Sequence, residues 1–255
     1  MRAPRALAVV LDPLGAIGPA VEARAWLVPL LMTVVLTAAA SAALGVRLDS
    51  ARTVLPKLEA SGELAKASER EISEQVEQAQ RIAIVAGVAR GVFLVPLIAL
   101  LSAAGLWLMS WLLGGRATFP ELFTVASLML LPLAVGQGIT LASALRQSSL
   151  SPSMAKALVP SSLAQLVSVS TDDVGPPAEP APRGAWKRTA RTALLELVDF
   201  FHVWAALLLG LGFAAATKLS RLRAVPVGVL LYFLVVAAFT VGVPGLLDGP
   251  GGPPR

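Results

Sequence analysis

Five long apolar stretches limit what this chain can fold into. A helix needs roughly twenty residues to cross about 30 Å of hydrocarbon, and the first stretch runs from Trp26 to Val46 without a charge. Inside a bilayer every peptide N–H and C=O group must be satisfied by the protein itself, and a helix does this within one segment. The sequence therefore predicts an all-α, multi-pass transmembrane helical bundle with five spans, at residues 26–46, 84–113, 119–145, 194–217 and 225–247.

The segments between the spans are more polar and differ in character. The N-terminal segment is expected to stay in the mature protein, because its short apolar run is stopped by Asp12 and Pro13. Ser68 and Glu71 form a capping-box pattern that predicts a solvated helix after the first span. The predicted segments are an N-terminal interfacial segment (1–25), a polar helical loop (47–83), an amphipathic and proline-rich loop (146–193) and a disordered tail (248–255).

The composition excludes several classes of protein. Hydrophobic residues make up 56% of the chain and charged residues 15%, whereas soluble domains have about 25% charged residues. There is no cysteine and a single histidine, which excludes disulfide frameworks, thiolate metal sites and clusters of several imidazoles. The basic residues lie between the apolar blocks and do not form one surface with aromatic residues. We therefore expect no cofactor, no metal and no nucleic-acid partner, and we expect contact with the lipid bilayer.

Ionisable residues at the start of the fourth span are candidates for chemistry. Glu196, Asp199 and His202 follow each other at i+3 spacing and would lie on one face of a helix. Such a set can bind a divalent ion or relay a proton. The alternative is a structural role at the membrane boundary, where acidic groups favour the positive end of the helix dipole. We favour the structural role, because no other span clearly offers further ligands.

Other residues in the spans are candidates for helix packing. Gln137 lies between two glycines in the third span, where its amide can form an interhelical hydrogen bond or line a pore. Gly87 and Gly91 have a G-x-x-x-G spacing, and Gly210 and Ala214 a small-x-x-x-small spacing, both typical of closely approaching helices. The helix faces that carry these small residues are suited to packing within the chain or to dimerisation.

The sequence contains no convincing enzymatic motif. Gly210 and Gly212 imitate a dinucleotide fingerprint, but they lie inside an apolar span with no strand before them. A Walker A sequence is absent, and a Ser-His-acid triad would have to use His202. We predict that the protein is not an enzyme.

The last two spans carry a motif that resembles the C-terminal half of bacterial Yip1-domain membrane proteins. Its members are Glu196, Asp199, Phe200, Phe201, His202 and Trp204, then Leu209, Gly210, Gly212 and Phe213, then Lys218, Ser220, Arg221 and Ala224. Leu11, Asp12, Pro13, Trp26 and Pro29 look like the family's entry segment, and Gly114, Gly115, Phe119, Leu131 and Pro132 look like its middle.

This resemblance implies a five-span helical fold without catalytic residues. Eukaryotic members of the family are similar in architecture and associate with Rab-type GTPases and with one another in vesicle traffic. The Ala, Leu, Arg and Pro bias of this sequence looks like that of a GC-rich bacterial genome, which implies a bacterial inner membrane and argues against a Rab partner. The polar insert and the proline-rich loop depart from the family pattern.

The orientation in the membrane is left open by two conflicting signals. The face with the two long loops carries 14 Lys and Arg residues and the opposite face carries 7, so the positive-inside rule places the long loops in the cytoplasm. The family resemblance implies a cytoplasmic N-terminus instead.

Three hypotheses for function follow from these features. The first is a non-catalytic membrane protein that acts in membrane organisation or trafficking through protein or lipid contacts, with a membrane-protein partner or as a homo-oligomer. The second is a small transporter or channel component with a polar path near the third and fourth spans. The third is a membrane enzyme that uses the face of Glu196, Asp199 and His202.

Overall fold

The computed structural model describes residues 3–151 and 199–239, and these residues confirm the prediction of an all-α fold. An isolated parallel bridge joins Leu48 to Leu150. A π-helical turn, Arg90–Leu94, continues one of the helices. The α-helices are α1 (Ala3–Leu11), α2 (Pro13–Glu22), α3 (Leu27–Arg47), α4 (Ala51–Ala60), α5 (Glu69–Ala89), α6 (Val95–Leu112), α7 (Phe119–Leu128), α8 (Leu130–Arg146), α9 (Phe200–Thr217) and α10 (Arg221–Ala237).

Four helical stretches of the described residues are long and apolar enough to cross a membrane. They are Leu27–Arg47, Glu69–Leu112, Phe119–Arg146 and Phe200–Thr217, and each overlaps one of the first four predicted spans. The predicted fifth span contains most of α10, and its last residues, 240–247, lie outside the described residues, as do the tail for which disorder was predicted and most of the proline-rich loop.

Large apolar side chains cover the surface of the second of these stretches. Phe93 and Trp111 are each 73% exposed, and Trp107 is 53% exposed. A soluble monomer rarely exposes a continuous apolar surface of this kind, whereas a helix in contact with lipid does so along its length. The exposure therefore fits a helix whose side chains face acyl chains.

The same stretch differs from the sequence prediction at its polar end. We expected the polar insert to stop at residue 83 and a separate span to begin at 84, but α5, the π-helical turn and α6 form one continuous helix. The helix starts at the predicted capping box, where the Ser68 N–H donates to Glu71 Oε2 at 2.7 Å and the Glu71 N–H donates to Ser68 Oγ at 3.3 Å. The backbone ladder continues because no helix breaker separates the polar residues from the apolar ones.

Proline accounts for two irregularities in the apolar helices. Pro96 removes the amide that the carbonyl of Val92 would bind, and Val92 lies in the π-helical turn. Pro132 stands four residues after Leu128, where α7 ends, and α8 begins at Leu130.

The described chain divides into two compact units. In the first unit α9 packs against α2, α7 and α10, around the fully buried residues Phe213, Leu122 and Val125. In the second unit Gln80 on α5 donates its Nε2–H to the Val46 carbonyl of α3 at 3.0 Å. The units are residues 1–29, 98–132 and 160–255, and residues 30–97 and 133–159.

Candidate functional site

Asp199 forms the N-cap of α9 and so fixes where this helix begins. Its backbone is extended, with φ −115° and ψ 169°, and its Oδ1 accepts the backbone N–H of His202 at 2.6 Å. A side-chain oxygen in this position satisfies one of the amide groups left over at a helix start and interacts favourably with the helix dipole. The carboxylate therefore has a structural task at the start of this helix.

His202 is held by the same carboxylate. Its Nδ1 lies 2.8 Å from Asp199 Oδ1, and because a carboxylate can only accept, the proton of this hydrogen bond sits on Nδ1. The side chains of His202 and Asp199 are 26% and 14% exposed, so the pair is largely sheltered from solvent.

The predicted helical face is interrupted at Asp199. We expected Glu196, Asp199 and His202 on successive turns of one helix, but the helix starts at Phe200. Glu196 lies outside the described residues. The residues that the structure does describe contain no group of three or more His, Cys, Asp or Glu side chains that could hold a metal ion.

Tyr232 joins this cluster and was missed by the sequence analysis. Its ring lies 6.1 Å from that of His202, centroid to centroid, in an edge-on arrangement. The side chain is 1% exposed, and its hydroxyl has no hydrogen-bond partner among the described residues. The available signal was that this is the only tyrosine in the sequence, placed in the middle of an apolar run.

The predicted packing glycines lie at close helix contacts. A Cβ on Gly87 would come within 2.8 Å of the Ser41 side chain, and one on Gly91 within 2.8 Å of the Ala38 backbone nitrogen, both on α3. A Cβ on Gly210 would lie 2.6 Å from the Val225 carbonyl oxygen of α10. Each of these glycines faces another helix of the same chain.

The two remaining predicted residues are on different helices. Gln137 is half-buried on α8 in the second unit. Ala214 is buried on α9 in the first unit, and it lines a pocket beside α2.

Removing the N-cap is expected to destabilise the start of α9. Asp199→Ala should lower the free energy of unfolding by about 1 kcal/mol, because it leaves the His202 amide unsatisfied, whereas Asp199→Asn should retain most of the stability, since asparagine caps as well as aspartate. Chemical unfolding of the two variants in detergent, followed by circular dichroism, measures the difference. Equal losses for both variants would show that the charge matters and not the cap.

The chain matches a known protein family over most of its length. A family model, Yip1 domain, matches residues 8–242 of the 255 residues. No curated protein and no solved structure gave a match. The match covers both the C-terminal motif around Asp199 and the entry segment around Asp12, and it places this chain in the Yip1 domain family.

Proposed function

We propose that this Yip1 domain protein is a five-span, non-catalytic protein of the bacterial inner membrane that acts in membrane organisation or trafficking through protein or lipid contacts. Yip1 family proteins are generally non-catalytic membrane proteins. The capping role of Asp199 supports the same reading, since it accounts for the acidic residue at the start of α9 without a reaction.

The continuous helix Glu69–Leu112 carries this proposal. It has 44 residues, about twice the roughly twenty that a helix needs to cross the hydrocarbon core. None of the described side chains in its α5 part is buried, and the first part of α5 is rich in Glu, Gln and Arg. The polar end therefore lies outside the hydrocarbon core, in water, where it offers a surface suited to a protein partner.

The charges of this polar end are paired along the helix. Arg70 Nε lies 3.0 Å from Glu74 Oε1, and Arg81 forms a second such pair with Glu77. Exposed pairs at i,i+4 spacing add only a few tenths of a kcal/mol each to helix stability, and their charges favour contact of this end with water. The polar end therefore presents both positive and negative side chains to a docking partner.

The fifth span is supported by α10. Its described part, Arg221–Ala237, has 17 residues and follows α9 after the short turn Lys218, Leu219 and Ser220. The predicted span continues beyond the described residues to 247, which would give it the length needed to cross the bilayer.

Site-specific photo-crosslinking tests the proposal. A photoreactive residue at Gln75, exposed on α5, should give a small set of protein adducts, whereas the same residue at Leu108, exposed on α6, should give mainly lipid adducts. The crosslinking is done in membranes that contain the full-length protein, and the protein should remain in the pellet after a carbonate wash.

Two outcomes would contradict the proposal. One is the absence of protein adducts at Gln75 while the lipid adducts at Leu108 form normally. The other is ion flux in proteoliposomes that disappears in Asp199→Asn, because the cap survives that change and the charge does not.

A further inference from the structure

A pocket of about 320 Å³ lies between α2 and the end of α9 in the first unit. Its walls are formed by leucine, isoleucine, alanine, proline and glycine, including Ile17 and Gly18 on α2 and Leu211 on α9. Ligand pockets measure roughly 300–1,000 Å³, so this one is at the small end of the range. It has room for a headgroup phosphate and the first carbons of a chain, and not for a whole lipid.

Arg221 is the one charged side chain among the described residues that line the pocket. It is exposed and forms no ion pair with another described residue. Lys218 and Arg223 stand close to it in sequence, and no acidic residue occurs between them. Asp12 lies at the start of α2, where its Oδ1 accepts the Gly15 N–H at 3.0 Å as the N-cap.

The pocket lies beside the turn that joins α9 to α10, and a turn between two spans belongs at the membrane surface. Leu14, which lines the pocket, is 59% exposed, and Leu222, the residue after Arg221, is 88% exposed. Apolar side chains that project beside basic ones are typical of protein surfaces inserted into the headgroup region.

We propose that this pocket binds an anionic membrane phospholipid, with the phosphate on Arg221 and the first part of an acyl chain between α2 and α9. A guanidinium group binds phosphate through two parallel hydrogen bonds, and the apolar walls suit a chain that leads into the bilayer. The positive charge of Arg221 favours a headgroup with a net negative charge. The inference rests on the proposed function, since it specifies one of its lipid contacts.

Two pairs of variants isolate the pocket. Arg221→Gln removes the charge in the pocket, and Arg223→Gln removes an equal charge two residues further along, on a residue that does not line the pocket. Gly18→Leu fills the pocket, because a Cβ on Gly18 has nothing within 4 Å. Gly138→Leu is its control, as Gly138 also has open space around its Cβ and lies on α8.

The measurement is native mass spectrometry of the full-length protein in detergent, titrated with phosphatidylglycerol or with phosphatidylcholine of the same acyl chains. We expect tighter binding of phosphatidylglycerol to the wild type. Arg221→Gln should weaken it about tenfold, as expected for a lost hydrogen bond to a charged group, while Arg223→Gln changes it by less than about twofold. Gly18→Leu should lose both lipids, Gly138→Leu should bind as the wild type does, and inorganic phosphate should not compete.

Three results would overturn the proposal. They are equal losses in Arg221→Gln and Arg223→Gln, wild-type binding by Gly18→Leu, and full competition by inorganic phosphate. Thermal unfolding of each variant shows that the protein is folded during the titration. If lipid binding fails while the crosslinks at Gln75 persist, the pocket assignment is wrong and the proposed function stands. If the crosslinks fail while lipid binding persists, the proposed protein contact is wrong and the pocket assignment stands.

Discussion

Gly228→Ala is expected to disrupt the packing of α9 against α10, at a cost of about 3 kcal/mol or more. A Cβ on Gly228 would lie 2.5 Å from the Gly210 Cα and 2.8 Å from the Gly210 nitrogen. Both atoms belong to the backbone, so no side chain can rotate away, and the two helices would have to separate. Because proteins of this size are only marginally stable, a loss of this magnitude removes a large part of the stability of the first unit.

The matched control is Gly138→Ala. Gly138 is also a helical glycine, but a Cβ there has nothing within 4 Å. Alanine is favoured over glycine in a helix by up to about 1 kcal/mol, and this gain applies at both positions. Unfolding in detergent should therefore show a stable Gly138→Ala protein and a strongly destabilised Gly228→Ala protein. Similar midpoints for the two would show that the backbones of α9 and α10 are not in contact.

Tyr232→Phe is expected to stabilise the protein by about 1–3 kcal/mol. The hydroxyl is buried without a partner among the described residues, and an unsatisfied buried polar group costs roughly this amount. Phenylalanine has the same ring and keeps the edge-on contact with His202. The free energy of unfolding, measured by denaturant titration of wild type and variant, reports the difference.

Two buried serines provide the comparison for this prediction. Ser102 is buried and its hydroxyl also has no partner in the described part of the chain, whereas the buried Ser127 hydroxyl donates to the Phe123 carbonyl at 2.8 Å. Ser102→Ala should therefore be neutral or stabilising, and Ser127→Ala should not stabilise. A loss of stability in Tyr232→Phe would mean that the hydroxyl is bound in the working protein, and it would make Tyr232 part of a binding site with Asp199 and His202.

The sequence analysis identified the helices of the membrane region but not the way in which some of them begin and join. The apolar stretches are readable because the cost of placing peptide groups in hydrocarbon depends on local composition and length. The capping box at Ser68 and Glu71 is readable for a similar reason, since its hydrogen bonds join residues three apart. The continuity of α5 with α6 was missed, because a change from polar to apolar side chains looks like a boundary although the backbone ladder does not break there.

The candidate site also contains residues that the sequence analysis identified and one that it missed. Asp199 and His202 stood out in the sequence because ionisable residues are rare in apolar segments, but the hydrogen bonds of the cap are visible only in the structure. Tyr232 is 30 positions further along the chain, and only the α9–α10 hairpin brings its ring next to His202. Nothing in the local sequence indicates that its hydroxyl would be left without a partner.

The sequence by itself determined that this chain is a helical membrane protein of the Yip1 domain family, because hydrophobic length and the C-terminal motif are local properties. Only the tertiary structure decided which helix face each glycine meets, where Tyr232 lies, and that α2 and the end of α9 enclose a pocket with Arg221 at its edge. These features depend on distances between residues far apart in sequence. Such distances are set by how the helices pack, and the pattern of any one helix does not contain them.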